Sequence, residues 1–130
     1  MRGKKSEQIV LQKMIWYCDK IAQILEKHHY SREDFENDME FQFASGMCII
    51  QIGELVTRLD DDFVKKYSDI PWRQIKGMRN IYAHDYDIID RDTVWEAMIE
   101  EIPELRNKLQ MILCHGNKEE IMQEESAGNS

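Results

Sequence analysis

The chain has 130 residues, which is the usual size of a single domain. Its 42% hydrophobic and 32% charged residues are typical of a soluble protein with an ordinary core. The 17 basic and 25 acidic side chains leave a net charge of −8, which excludes a surface that attracts nucleic acid on every side but permits a local basic patch.

Three further features of the sequence exclude other classes of protein. Two prolines and six glycines are too few for a turn-rich β-sandwich. Three widely spaced cysteines predict neither a disulfide framework nor a zinc-binding pair, and they fit a reducing compartment. The longest charge-free run, residues 41–53, is too short to span a bilayer. We therefore expect a cytoplasmic protein with no membrane partner.

The first half of the chain predicts two helices. Apolar residues recur at helical spacing over residues 6–29. They are Leu11, Met14, Cys18, Ile21 and Leu25. Ser31, with Asp34 three residues later, resembles a capping box and predicts a second helix that runs to about Leu59. Because residues 41–52 are apolar on nearly all sides, this helix must be buried on several sides, either centrally or in a subunit interface.

The second half predicts further helices joined by polar turns. A short helix is expected over residues 61–67, and a longer one from Pro71 to about Ala83, since proline is tolerated in a first turn. Three aspartates mark residues 85–90 as a loop, and Asp90 is the expected cap of the last helix. Pro103 predicts a kink within that helix.

No segment shows the alternating pattern of a β-strand. The expected fold is an all-α, up-and-down bundle of four to five helices. It forms one domain over residues 1–116, where Gly116 ends the last helix, and residues 117–130 are expected to form a flexible polar tail.

The positive charge of the chain is concentrated near its middle. Residues 71–84 include Arg73, Lys76 and Arg79 and no acidic residue. Residues 71–91 carry four basic and three acidic side chains, a net +1, so the other 109 residues sum to −9. A phosphate ligand would be attracted here, although an ordinary solvated helix face would have the same composition.

Arg79, His84 and Tyr86 form the pattern R-x4-H-x-Y within this basic region. On a continuous helix His84 would be rotated by about 140° from Arg79. The three side chains can therefore meet only if the helix ends or unwinds near Ala83, and the aspartate-rich loop that follows favours such an ending.

The segment MRNIYAHDYDIID, residues 78–90, resembles the HEPN superfamily and in particular the HepT-like toxins of prokaryotic toxin–antitoxin pairs. The resemblance extends over residues 8–113 and includes Gln51-Ile52-Gly53-Glu54-Leu55 and Ile102-Pro103-Glu104-Leu105. The superfamily signature is an arginine, a polar residue, three residues of any kind and a histidine. Here these are Arg79, Asn80 and His84, and Tyr86 is the tyrosine of the HepT-like group.

The resemblance implies a metal-independent endoribonuclease that needs no cofactor. His84 is suited to proton transfer near neutral pH, and Arg79 to holding phosphate oxygens as negative charge develops. Asn80 is expected to orient His84 or to bind a phosphate. The resemblance also implies a homodimer, and a nucleotidyltransferase antitoxin that inactivates the toxin by transferring AMP to Tyr86.

Three alternatives remain open at this point. Arg79 and His84 could instead form an interhelical ion pair with a carboxylate such as Glu54. The protein could be a non-catalytic helical companion of a small nucleotidyltransferase, which the strongly acidic remainder of the surface mildly favours. Tyr86 could pack on the bundle or contact RNA without being modified.

Overall fold

The computed structural model describes the backbone of residues 2–81 and 90–128 and the side chains of residues 5–81 and 90–116. These residues contain helices and no strand, which confirms the all-α class. The α-helices are α1 (Arg2–Lys27), α2 (Arg32–Asn37), α3 (Met39–Val56), α4 (Asp61–Lys66), α5 (Trp72–Gly77), α6 (Arg91–Glu96) and α7 (Ile102–Gly128). A 3₁₀ turn at Met78–Asn80 follows α5, and a π-helical turn at Ala97–Glu101 joins α6 to α7.

Helix α3 lies at the centre of the bundle. It contacts α1, α2, α5, α6 and the 3₁₀ turn, while α1 also packs against α7. Its buried residues include Phe41, Ile49 and Ile52, all 2% exposed or less. The apolar stretch 41–52 is therefore buried on several sides, as predicted, but Phe43 and Met47 remain 39% and 54% exposed.

The expected single helix from Ser31 to Leu59 is wrong, because the chain breaks at Asp38. Asp38 adopts an extended conformation and its side chain accepts a hydrogen bond from the backbone N–H of Phe41. This is the geometry of an N-cap, so Asp38 ends α2 and starts α3. The Ser31 cap is confirmed, since Ser31 Oγ accepts a hydrogen bond from Asp34 N.

The last predicted helix is also divided. Asp90 caps α6 as expected, with its side chain accepting from Thr93 N. Pro103 has no N–H and its ring crowds the carbonyl four residues earlier. The chain adjusts with the π turn just before Pro103, in which Ile102 N donates to Ala97 O.

The ends of two helices differ from expectation. Helix α1 spans Arg2–Lys27 rather than residues 6–29. Helix α7 continues to Gly128 instead of ending at Gly116. One glycine costs a helix about 1 kcal/mol, and the following residues are mainly good helix formers such as Lys, Glu, Gln and Met. No helix of the described residues is long and apolar enough to cross a membrane.

Candidate functional site

Helix α5 presents the basic residues of the motif region to solvent. Trp72 and Ile75 are buried in the core, and Trp72 Nε1 donates a hydrogen bond of 2.9 Å to the carbonyl oxygen of Tyr67. With these two side chains pointing inward, Arg73 and Lys76 lie on the exposed face of the helix. The exposed face of α5 is therefore cationic, and Arg79 follows shortly after the end of this helix.

The predicted continuation of this helix to Ala83 is wrong. Regular α-helix ends at Gly77. The 3₁₀ turn Met78–Asn80 follows, and Ile81 is the first residue after it. Such a turn has three residues per turn, so consecutive side chains are about 120° apart. The unwinding that the motif requires thus begins before Ala83, at the residues around Arg79.

Gly53 fixes the backbone of Arg79 against α3. A Cβ atom on Gly53 would lie 3.0 Å from both Arg79 N and Ile75 O, and 3.3 Å from Arg79 Cβ. Such distances are too short for any larger side chain without displacement of the backbone. The glycine therefore permits the central helix and the motif segment to approach each other closely.

The side chain of Arg79 points to Glu54, the next residue of α3. Arg79 Nη1 lies 3.6 Å from Glu54 Oε1, and the two side chains are 36% and 52% exposed. This is the ion pair that the structural alternative predicted for Arg79. Among the described residues it is a single long contact rather than a bidentate pair, and it engages one terminal nitrogen of the guanidinium.

Asn80 lies on the other side of the same turn and is exposed. It lines a cleft of about 370 Å³ between the 3₁₀ turn and the last helices. The polar residues around this cleft include Gln74, Asp90, Thr93 and Glu101. Burial raises the pKa of Glu101, and the nearby carboxylates of Glu96 and Glu100 add to the shift.

The two ends of the remaining motif segment are held together. Asp90 N donates a backbone hydrogen bond of 3.4 Å to Ile81 O. Asp90 also accepts hydrogen bonds from the hydroxyl and the backbone N–H of Thr93, and these bonds hold its pKa below the usual range. His84 and Tyr86 belong to residues 82–89, which lie outside the described residues.

The structure thus places Arg79 and Asn80 at one exposed edge of the bundle and adds two residues to the site. Gly53 and Glu54 fall within the stretch that carries the family resemblance, but the sequence pattern alone does not connect Gly53 with Arg79. A glycine inside an apolar helix was the available signal, since it often marks a close approach of two backbones. Within the described residues, no group of three or more His, Cys, Asp or Glu side chains is arranged to hold a metal ion.

Comparison with known proteins identifies the family. The family model described as "Ribonuclease HepT-like" matches residues 14–112. The chain belongs to the HepT-like ribonuclease family. The resemblance noted from the motif is therefore confirmed, and with it the expectation that the protein is an endoribonuclease.

Similar proteins carry names consistent with this family. "Putative RNase MJ1216" of Methanocaldococcus jannaschii is 32% identical over 110 residues, which cover 85% of this chain and 89% of that protein. "Probable ribonuclease HepT" of Thermococcus cleftensis is 32% identical over 101 residues, covering 74% of this chain and 92% of that one. "Putative RNase TTE0752" of Caldanaerobacter subterraneus subsp. tengcongensis is 37% identical over 83 residues, covering 64% and 74%. No solved structure matches the chain.

Gly53→Ala is expected to lower both stability and RNA cleavage. The added methyl group would meet the backbone at Arg79 N and Ile75 O, so the motif segment must move away from α3. Overpacking of this kind costs about 1–3 kcal/mol in the free energy of unfolding. Chemical denaturation measures the first effect, and the initial cleavage rate measures the second.

Gly77→Ala is the matched control for this variant. Gly77 is also near the motif, but a Cβ atom there would have no neighbour within 4 Å among the residues that the structure describes, and its backbone is helical. Alanine should therefore stabilise the protein by about 0.5–1 kcal/mol. If both variants lose stability equally, the close approach at Gly53 is not what holds the motif segment in place.

Proposed function

We propose that this RNase cleaves RNA without a metal ion, with Arg79 and His84 as its catalytic residues. The observation that carries the proposal is the position of Arg79. Its backbone is packed on the central helix and its guanidinium is 36% exposed at the start of the segment that contains His84. The joined ends of that segment, at Ile81 and Asp90, support a common site.

The residue types fit attack by the 2′-hydroxyl of the RNA on the adjacent phosphate, which forms a 2′,3′-cyclic phosphate and breaks the bond to the 5′-oxygen of the next nucleotide. That oxygen would leave as a hydroxyl by taking a proton from protonated His84 or from water. His84 would accept the hydroxyl proton as a general base, and it is the side chain best suited to proton transfer near neutral pH. Arg79 would donate hydrogen bonds to the phosphate oxygens as negative charge builds on them. Asn80 would orient His84 or bind a neighbouring phosphate. Dependence on the 2′-hydroxyl would restrict the substrate to RNA.

We further propose that the protein is the toxin of a type VII-like toxin–antitoxin pair. Its partner would be a nucleotidyltransferase antitoxin that modifies Tyr86. Support comes from the membership of the HepT-like family and from the intact R-x4-H-x-Y pattern.

Expression of the chain without a partner is expected to arrest bacterial growth, because free enzyme would degrade cellular RNA. The purified protein should cleave single-stranded RNA, but not DNA of the same sequence, in the presence of excess chelator. Unaffected growth together with absent cleavage would favour the alternative, a non-catalytic companion of a small nucleotidyltransferase. If the protein cleaves RNA only when the chelator is left out, the metal-free mechanism is wrong.

A homodimer that brings two motif segments beside one groove is expected as well. Phe43 and Met47 leave an exposed apolar strip on α3, the helix that also carries Glu54. Burying this strip against a second copy would remove apolar area from water. Sedimentation at micromolar concentration should show a dimer, and Met47→Glu should shift it toward the monomer.

Met111→Glu is the control for the dimer experiment. Met111 is 72% exposed, more than the 54% of Met47, but it lies on α7. A charge there should leave the sedimentation profile unchanged. A wild-type monomer at all micromolar concentrations would contradict the dimer.

A further inference from the structure

Glu54 contacts the guanidinium of Arg79 from a different helix. The carboxylate oxygen Oε1 lies 3.6 Å from Nη1 of Arg79. Both side chains are substantially exposed, and ion pairs between exposed groups contribute little to folding stability. The contact therefore matters more for the direction of the guanidinium than for the stability of the bundle.

Both the backbone and the side chain of Arg79 are positioned by the same turn of α3. Gly53 lies against Arg79 N and Cβ, and Glu54 follows it directly in the sequence. An arginine side chain has several rotatable bonds, so a fixed backbone alone does not determine where its guanidinium points. The contact with Glu54 adds a second constraint, which acts on the guanidinium itself.

The contact leaves the guanidinium able to bind phosphate. It involves one terminal nitrogen, while an arginine has five N–H donors. The same carboxylate is a negative charge beside the position that an RNA phosphate would occupy, and it repels that phosphate. Glu54 would thus help to orient the guanidinium of Arg79 and at the same time weaken its affinity for an RNA phosphate.

We propose that Glu54 is a positioning residue, which orients Arg79 for cleavage and at the same time weakens the binding of RNA. This inference rests on the proposed role of Arg79 and extends it to α3. Two substitutions separate the two effects, because Glu54→Gln removes the charge and keeps the length, whereas Glu54→Asp keeps the charge and shortens the reach.

For Glu54→Gln we expect the Kd for single-stranded RNA to fall by about threefold, since an exposed charge beside the bound phosphate weakens binding only modestly. Its kcat should fall by about tenfold, because the guanidinium is no longer held in one direction. Glu54→Asp should lose kcat to a similar extent with an unchanged Kd. Glu40→Gln, an exposed acid on the same helix, is the control and should change neither.

Two readouts decide the proposal even if the wild-type protein cleaves nothing. The first is the NMR signal of the Arg79 Nε–H group, which should shift in Glu54→Gln and in Glu54→Asp but not in Glu40→Gln. The second is binding of a 2′-deoxy oligonucleotide, which has no attacking hydroxyl. The gain in binding from Glu54→Gln should disappear when Arg79 is replaced by alanine.

The inference would be overturned by an Arg79 signal that does not respond to Glu54, or by a binding gain that persists without Arg79. It would also be overturned if both Glu54 variants kept wild-type kcat, or if they lost kcat only in proportion to a lowered melting temperature. Absence of wild-type cleavage with a responsive Arg79 signal would instead contradict the proposed catalytic function and leave the contact established.

Discussion

His84→Ala should lower RNA cleavage by about 10²- to 10⁴-fold, the usual contribution of a positioned general base. Arg79→Ala should lower it by about 10²- to 10³-fold, because hydrogen-bond donors that stabilise developing charge contribute on that scale. Arg79→Lys should recover only part of the loss, since an ammonium group cannot reproduce the planar fork of a guanidinium. Initial rates on one fluorescent RNA, with protein free of contaminating nuclease, measure all three.

Matched controls separate catalysis from general effects of charge or folding. Arg73→Ala removes an exposed cation from the same basic surface and should weaken RNA binding only slightly. His115→Ala replaces an exposed histidine on α7 and should leave the rate unchanged. Because Arg79 is partly exposed and its ion pair is long, Arg79→Ala should keep the circular dichroism spectrum and melting temperature of the wild type. Full activity in either His84→Ala or Arg79→Ala would contradict the catalytic assignment.

The sequence predicts the helices better than it predicts their interruptions. Helical spacing reveals α1 and the buried stretch of α3, since apolar periodicity reflects the side of a helix that faces the core. Apolar spacing does not predict the break at Asp38. One extended residue whose side chain caps the next helix is enough to end one helix and start another. The π turn before Pro103 is a similar local adjustment, although the proline itself signals that some distortion is required.

The candidate site is predictable in its residue types but not in its supporting contacts. The spacing of Arg79, His84 and Tyr86 is visible in the sequence, and the family resemblance adds Asn80. A glycine inside an apolar helix signals a close approach, but which backbone lies against Gly53 depends on how α3 meets the 3₁₀ turn, 26 residues further along the chain. From the sequence, Glu54 is predicted only as a competing ion-pair partner for Arg79. A contact of 3.6 Å through one terminal nitrogen is compatible both with an ion pair to Glu54 and with binding of a phosphate by Arg79.

Modification of Tyr86 is expected to abolish RNA cleavage. Each AMP group transferred to the hydroxyl adds a phosphate with a charge of about −1 and a bulky base, two residues from His84. The added phosphate would compete for the exposed guanidinium of Arg79, and the base would block the approach of RNA. Inhibition would then combine charge competition with steric exclusion. Mass spectrometry of protein co-expressed with the proposed nucleotidyltransferase antitoxin should show the added mass on the peptide that contains Tyr86.

Tyr86→Phe should be resistant to the partner while keeping its own activity, because the phenol oxygen is needed for nucleotidyl transfer and not for the proposed proton transfer by His84. Co-expression with the proposed antitoxin should therefore rescue growth with the wild-type protein and fail to rescue it with Tyr86→Phe. Tyr30→Phe is the control, since Tyr30 is 55% exposed and lies in the turn after α1, outside the motif. It should be modified and neutralised like the wild type. An unmodified Tyr86 in the neutralised complex, or full neutralisation of Tyr86→Phe, would show that the partner acts by binding alone.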